Sequence, residues 1–246
     1  MSMPSFAWPD GKSCAVSLSF DDARPSQVDV GVPVLDAHGV RATFYLSPPN
    51  IAQRLEAWRR AAAAGHEMGN HTRSHPCSGN FAFARANGAV LEEYTLERME
   101  LDIDGASEAI RSLLGVTPAT FAYPCGQKFV GRGMSARSYV PIVAGRFVAG
   151  RGFRDEVPSD PSFCDLAQAN GVDGDDAPFE RLRPLIDQAM LSGGWLIFAC
   201  HDVGDYPRQA MRAADLDQVC RYCQDPANGV WIDTAAAIGS YVQRWR

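Results

Sequence analysis

No stretch of this chain approaches the roughly 20 consecutive apolar residues of a membrane-spanning helix. Its start, MSMPSFAWPDGK, lacks the basic-then-apolar layout of a leader peptide. No excess of positive charge is present either: the net charge is −6, and no run of like charges forms an interaction tail. These absences argue against a membrane span and against nucleic acid as a partner. The chain as given reads as soluble and cytoplasmic, or secreted if it is a truncated form that has lost a leader. Seven cysteines are scattered without the spacing of a disulfide framework, so they are expected to stay unpaired in a reducing compartment. The tempting pair Cys220 and Cys223 shares one helical face with Leu216 and Val219, which makes them core thiols. A lone CxxC also lacks the second pair of a structural zinc site. No internal repeat or linker breaks the sequence.

What is present is 246 residues at 46% hydrophobic and 21% charged, enough for one domain spanning 1–246 with a substantial core. Short β-rich runs alternate with helical ones: CAVSLSF, a helix over Gln27 to His38, RATFYL, a helix over Ile51 to Ala64, then HEMGNH. That rhythm belongs to parallel β/α folds. The clearest helix is predicted between Leu91 and Leu114, where Leu96, Met99, Ile103, Ala106, Ile110 and Leu113 step by three and four and Gly115 closes it. Beyond ATFAYPCG, the segment from Gly126 to Ala177 is rich in Gly, Pro and Arg. It reads as long loops around a site, with one strand near Arg146 to Gly150. The rhythm then resumes with a helix over Phe179 to Leu191, WLIFAC, a helix over Leu216 to Tyr222, GVWID and a closing helix.

The polar exceptions fall in one kind of place. Asp21 and Asp22 follow SLSF, His71 ends HEMGNH, a Pro-Cys-Gly turn follows TFAY, and His201 follows WLIFAC. All lie just past the C-terminal ends of predicted strands, which in a parallel β/α barrel is the catalytic mouth. Any one of them alone is explained by capping or by a satisfied loop histidine; four at one end are not. HTRSH places His71 and His75 four residues apart, a spacing that sets both imidazoles on one side of a helical turn and within reach of one metal ion. Asp22 or Asp21 supplies a carboxylate to complete a two-His, one-carboxylate site with open positions.

These residues resemble the polysaccharide deacetylases, the carbohydrate esterases of family four, over nearly the whole chain. The family's (T/S)FDDG stands here as SFDDA, its H(S/T)xxH as HTRSH, its RxPxG as AYPCG, and its last histidine as FACH. The resemblance implies an α/β fold, an incomplete, distorted (β/α) barrel, and metal-dependent hydrolysis of N- or O-acetyl groups on a carbohydrate. It makes Asp21 the general base and His201 the general acid. Asp22, His71 and His75 become ligands of one divalent ion, zinc ahead of cobalt, iron or nickel. It also places substrate contacts on the AYPCG turn, at Tyr123 and at the Cys125 N–H beside the developing oxyanion. An acetylated carbohydrate is then the partner; the motifs name neither the glycan nor an oligomeric state.

The chain also departs from the family pattern. Ala122 stands where the family often has an Arg that steadies the base, so another residue must orient Asp21. The aspartate that pairs with the acid histidine has three candidates, Asp155, Asp160 and Asp165. Ala199 replaces a Leu and is expected to widen the acyl pocket. Ala23 in place of Gly matters only if the backbone there needs positive φ. Two alternatives are a related C–N hydrolase acting on a small cyclic amide, against which the intact HTRSH argues, and a non-catalytic sugar-binding barrel. The latter leaves Asp21 and His201 unexplained.

Overall fold

Among the described residues, 6–246 of a computed structural model, one sheet holds eight strands. In chain order they are β1 Cys14–Asp21, β2 Thr43–Leu46, β3 Glu67–Asn70, β4 Thr120–Ala122, β5 Ala149–Arg151, β6 Val172–Asp173, β7 Trp195–Cys200 and β8 Val230–Ile232. The path β5-β4-β3-β2-β1-β7-β6 is parallel throughout, and β8 pairs with the first residues of β1. The two ends of the path are not paired strand to strand: Arg151 of β5 makes an isolated bridge to Ala169, three residues before β6. The barrel is thus incomplete and distorted, as the resemblance implies.

Alternation along β1 explains why the chain folds this way and where Asp21 points. Cys14, Val16, Leu18 and Phe20 pack outward in one core cluster. That cluster includes Trp58 and Ala61 of α2 (Leu55–Ala63), Leu182 and Ile186 of α4 (Phe179–Ser192), and Leu216, Cys220 and Cys223 of α5 (Ala213–Gln224). Each large apolar side chain buried there contributes about 1.5–3 kcal/mol. Ala15 faces the other way, in a cluster with Trp195, Ile197 and Ile238 of α6 (Ala235–Trp245). Ser17 accepts from Trp195 Nε1 at 3.1 Å and Ser19 donates to the Phe198 carbonyl at 2.6 Å. Asp21 is the next residue on this inner face, so its burial follows from strand register.

Two further helices bear on the sequence reading, α1, Val32–Ala37, and α3, Leu96–Leu114. Helix α3 starts five residues later than Leu91 because Thr95 caps it, its side chain accepting from the Arg98 N–H. Gly115 closes it at φ 74° as expected. The helix expected over Gln27 to His38 divides into a wider π turn, Gln27–Gly31, and α1. Pro33 has no N–H to give Asp29, so a regular α-helix cannot run through. Cys220 and Cys223 are core thiols as read from the sequence. No helix among the described residues is long and apolar enough to cross a membrane. The N-terminal stretch read for a leader begins outside the described residues.

Candidate active site

At the C-terminal ends of the strands lies a cavity of about 510 Å³ whose lining includes Asp21, Asp22, His71, His75, Cys125 and His201. The chain turns sharply to put the first two there. After β1 both Asp22 and Ala23 take left-handed backbone conformations, φ 78° and 56°. Ala23 therefore occupies a position that favours glycine, at about 1–2 kcal/mol for a residue with a Cβ. The Asp22 N–H donates to the Tyr45 carbonyl at 3.0 Å, and its own carbonyl accepts from Asn50 at 2.8 Å.

Asp21 is 4% exposed and meets a residue that sequence reasoning missed. Arg151, at the end of β5 and 1% exposed, brings Nη2 to both Asp21 oxygens at 2.5 Å and donates through Nη1 to the Gly152 carbonyl at 2.8 Å. Its guanidinium lies 5.1 Å from the centroid of the Tyr45 ring. Burial alone would raise the Asp21 carboxyl, but Arg151, with His71 and His201, outweighs it and holds the group below the usual carboxylate range. Arg151 thus reaches Asp21 from β5, while position 122 on β4 holds an alanine. Gln27 ties the mouth together, donating to the backbone carbonyls of Asp21 and His201 at 2.5 and 2.9 Å.

HTRSH is not helical, contrary to the expectation of a helical turn. Asp102 on α3 accepts from the Arg73 and Ser74 N–H groups at 2.7 and 2.9 Å, and Asn70 Oδ1 accepts from the Thr72 N–H at 2.8 Å. Side chains have replaced helical carbonyls as the partners of this backbone, so it forms a pinned loop with Thr72 and His75 at positive φ. The loop still converges the two imidazoles. His75 Nε2 lies 3.4 Å and His71 Nε2 3.7 Å from Asp22 Oδ1. One donor atom from each of Asp22, His71 and His75 lies within 4.8 Å of the other two.

This set fits a divalent cation. His71 Nδ1 faces the Ala122 carbonyl at 2.9 Å, which places its proton there and leaves the Nε2 lone pair toward Asp22. Burial pushes His71 down to about 4, so the imidazole is neutral at physiological pH, the form that binds a metal. Burial would raise Asp22, but its two histidine neighbours, His71 and His75, outweigh burial and hold it below the usual carboxylate range.

The partner of His201 is Asp175, not Asp155, Asp160 or Asp165. Asp175 Oδ2 lies 2.5 Å from His201 Nδ1, and Oδ1 accepts the His201 N–H at 2.9 Å. Asp155 instead accepts from the Gly171 N–H, Asp160 from Ser162, and Asp165 from the Ala167 N–H. Burial would lower His201, but the hydrogen bond to Asp175 and the charges of Asp21 and Asp22 raise it above the ordinary histidine value.

Three further expectations are corrected. Tyr123 does not reach the cavity: it is 1% exposed and its hydroxyl donates to the Ala167 carbonyl at 2.7 Å, in a cluster with Phe121 and Tyr139. Ala199 is fully buried and lies outside the cavity lining, which removes the argument for a wider acyl pocket. The cysteines are not all free, since Cys77 and Cys125, 48 residues apart, form a disulfide. Spacing could not show it, because the β3–α3 connection folds back over the Pro124–Gly126 turn. The pair removes the cysteine argument for a reducing compartment.

The polysaccharide deacetylase family profile matches residues 9–132, just over half of the chain. The chain belongs to the polysaccharide deacetylase family. The Bacillus subtilis protein YlxY, itself uncharacterized, is 30% identical over 95 residues, 39% of this chain and 26% of that protein. A chitooligosaccharide deacetylase of Bradyrhizobium is 41% identical over 63 residues, 25% of this chain and 29% of its own length. The match spans little more than a quarter of either relative. Among solved structures, the family 4 carbohydrate esterase of Streptomyces lividans, in complex with acetate, superposes with a TM-score of 0.57 at 19% identity, covering 90% of this chain and 92% of that one. Peptidoglycan deacetylase PdaC of Bacillus subtilis gives 0.53 at 17% identity, covering 94% and 92%. At these identities the likeness is one of fold.

Proposed function

We propose that this polysaccharide deacetylase family member is a metal-dependent hydrolase that removes acetyl groups from a carbohydrate. One observation carries the reading: a buried carboxylate steadied by Arg151, a two-histidine, one-carboxylate donor set and an Asp175-backed histidine all face one cavity. Asp22, His71 and His75 would hold the ion, and zinc suits their nitrogen and oxygen donors. A divalent cation bound there supplies Lewis acidity, lowering the pKa of water and polarising the acetyl carbonyl.

The chain's own residues do the rest. Asp21, kept ionised by Arg151, accepts the proton of the attacking water. Cys125 occupies the second position of the Pro124–Gly126 turn, where an N–H has no partner within the turn, and is offered to the oxyanion. His201 carries its proton on Nε2 and gives it to the departing sugar nitrogen or oxygen, while Asp175 fixes the ring through Nδ1. Phe81 and Phe83, 42% and 43% exposed, line the cavity and give a sugar ring apolar faces to lie on.

Chelation is expected to abolish acetate release, and one equivalent of zinc or cobalt to restore it. The test is a screen across chitin oligomers, peptidoglycan, poly-N-acetylglucosamine and acetylxylan, before and after chelation. Full turnover by metal-free protein would sink the reading. His201→Ala is expected to keep its metal and to slow acetylated sugars by about 10²–10⁴ while sparing activated aryl acetates, whose leaving group needs no proton. Equal slowing of both would count against the acid role. Asp175→Asn removes the charge that holds the His201 proton. The alkaline limb of the turnover profile is therefore expected to move to lower pH, and an unmoved limb would release Asp175 from this role.

A further inference from the structure

His75 has two nitrogens with different neighbours. Nε2 faces Asp22, while Nδ1 lies 3.7 Å from Cys77 Sγ, one half of the disulfide. Cys125, the other half, lines the cavity and is open to reagents that enter it. His75 Nδ1 and the two sulfurs form a second group whose donor atoms all lie within 4.8 Å of one another. A tetrahedral zinc site, with Zn–S about 2.3 Å and Zn–N about 2.0–2.1 Å, separates neighbouring donors by about 3.5–3.8 Å. The Nδ1–Sγ pair already meets that spacing, and the two sulfurs need only part.

We propose that reducing the Cys77–Cys125 disulfide creates a second metal site, His75 Nδ1 with two thiolates, which draws His75 away from Asp22 and His71. The inference rests on the reading of Asp22, His71 and His75 as ligands. A dithiol reductant supplies two electrons and two protons: the S–S bond breaks, two thiols form, and the reductant closes its own disulfide. A divalent ion then displaces both thiol protons. Two thiolates and an imidazole are a softer donor set than two imidazoles and a carboxylate, and they select zinc or cobalt strongly. The oxidation state of the pair thereby decides which nitrogen of His75 takes the ion, and with it whether the cavity keeps its metal beside Asp21.

Cobalt(II) reads the two sites separately, because only thiolate ligation gives an intense near-ultraviolet charge-transfer band. Oxidised wild type is expected to bind one equivalent of cobalt without that band and to lose it in Asp22→Ala. Protein reduced with a phosphine under anaerobic conditions, then freed of reductant, is expected to show the band. It should keep the band in Asp22→Ala and lose it in Cys77→Ser and in Cys125→Ser. A reduced protein with both thiols titrated but no band, or a band that survives both serine variants, would overturn the thiolate site. Oxidised wild type that binds no cobalt would overturn the ligand reading and the exchange together.

Discussion

Asp21→Asn is expected to keep a stoichiometric divalent ion and lose turnover by at least about 10²–10⁴, whereas Asp22→Ala loses the ion and activity with it. The two carboxylates are adjacent in sequence, yet the structure gives them separate surroundings. Asp21 continues the inner face of β1 against Arg151, while Asp22 follows a left-handed turn toward His71 and His75. Asparagine is nearly isosteric with aspartate, and its oxygen still accepts from Arg151, so the variant folds. It melts lower, because a buried guanidinium has lost its counter-charge. It cannot take a proton from water in the working range of pH. Metal content per chain after dialysis, paired with acetate release below the melting transition, separates the two roles. A metal-poor Asp21→Asn beside a metal-replete Asp22→Ala would exchange them, and full activity in either would remove that residue from the mechanism.

The parts of this site that are legible in the sequence share one property: each ends a strand long or apolar enough to read. CAVSLSF and WLIFAC announce β1 and β7, so the strand pattern alone puts Asp21, Asp22 and His201 at the mouth. HEMGNH does the same for His71, and helical spacing on HTRSH pairs His71 with His75 by the wrong local geometry. The loop is set by Asp102 and Asn70, whose hydrogen bonds to it leave no periodic trace. Arg151 and Asp175 escape for a different reason. Both lie in the Gly- and Pro-rich segment where β5 spans three residues and β6 two, too short for alternation to declare itself. A signal for Arg151 does exist, since Ala122 leaves Asp21 without an arginine on β4 and a strand is expected near Arg146 to Gly150. Asp175 sits in the acidic run DGDD, which offers no means of telling one carboxylate from its neighbours. The disulfide joins two loops whose meeting depends on the tertiary fold.

Arg151→Met is expected to destabilise the protein by about 3–5 kcal/mol, lowering its melting temperature by roughly 10 °C. Methionine fills much of the same apolar path but leaves Asp21 buried without its nearest cation. That uncompensated charge, more than the lost contact, sets the cost. Arg151→Lys is expected to recover part of the stability, since an ammonium restores the charge without the planar fork. The double variant Asp21→Asn/Arg151→Met should be less destabilised than the sum of its parts, because neither charge is then stranded. The pH dependence gives a sign that lost packing alone would not produce. In wild type the Asp21 carboxyl is held below its unfolded value, so the pair's contribution is present above the unfolded pKa and fades as pH falls through the folded one. In Arg151→Met burial is no longer opposed by the guanidinium, and the neutral carboxyl becomes the better buried form. The stability gap between the two proteins, measured metal-free by denaturant unfolding, is therefore expected to be widest near neutral pH and to narrow in acid. A gap that stays constant with pH would show that Arg151 contributes packing and not charge.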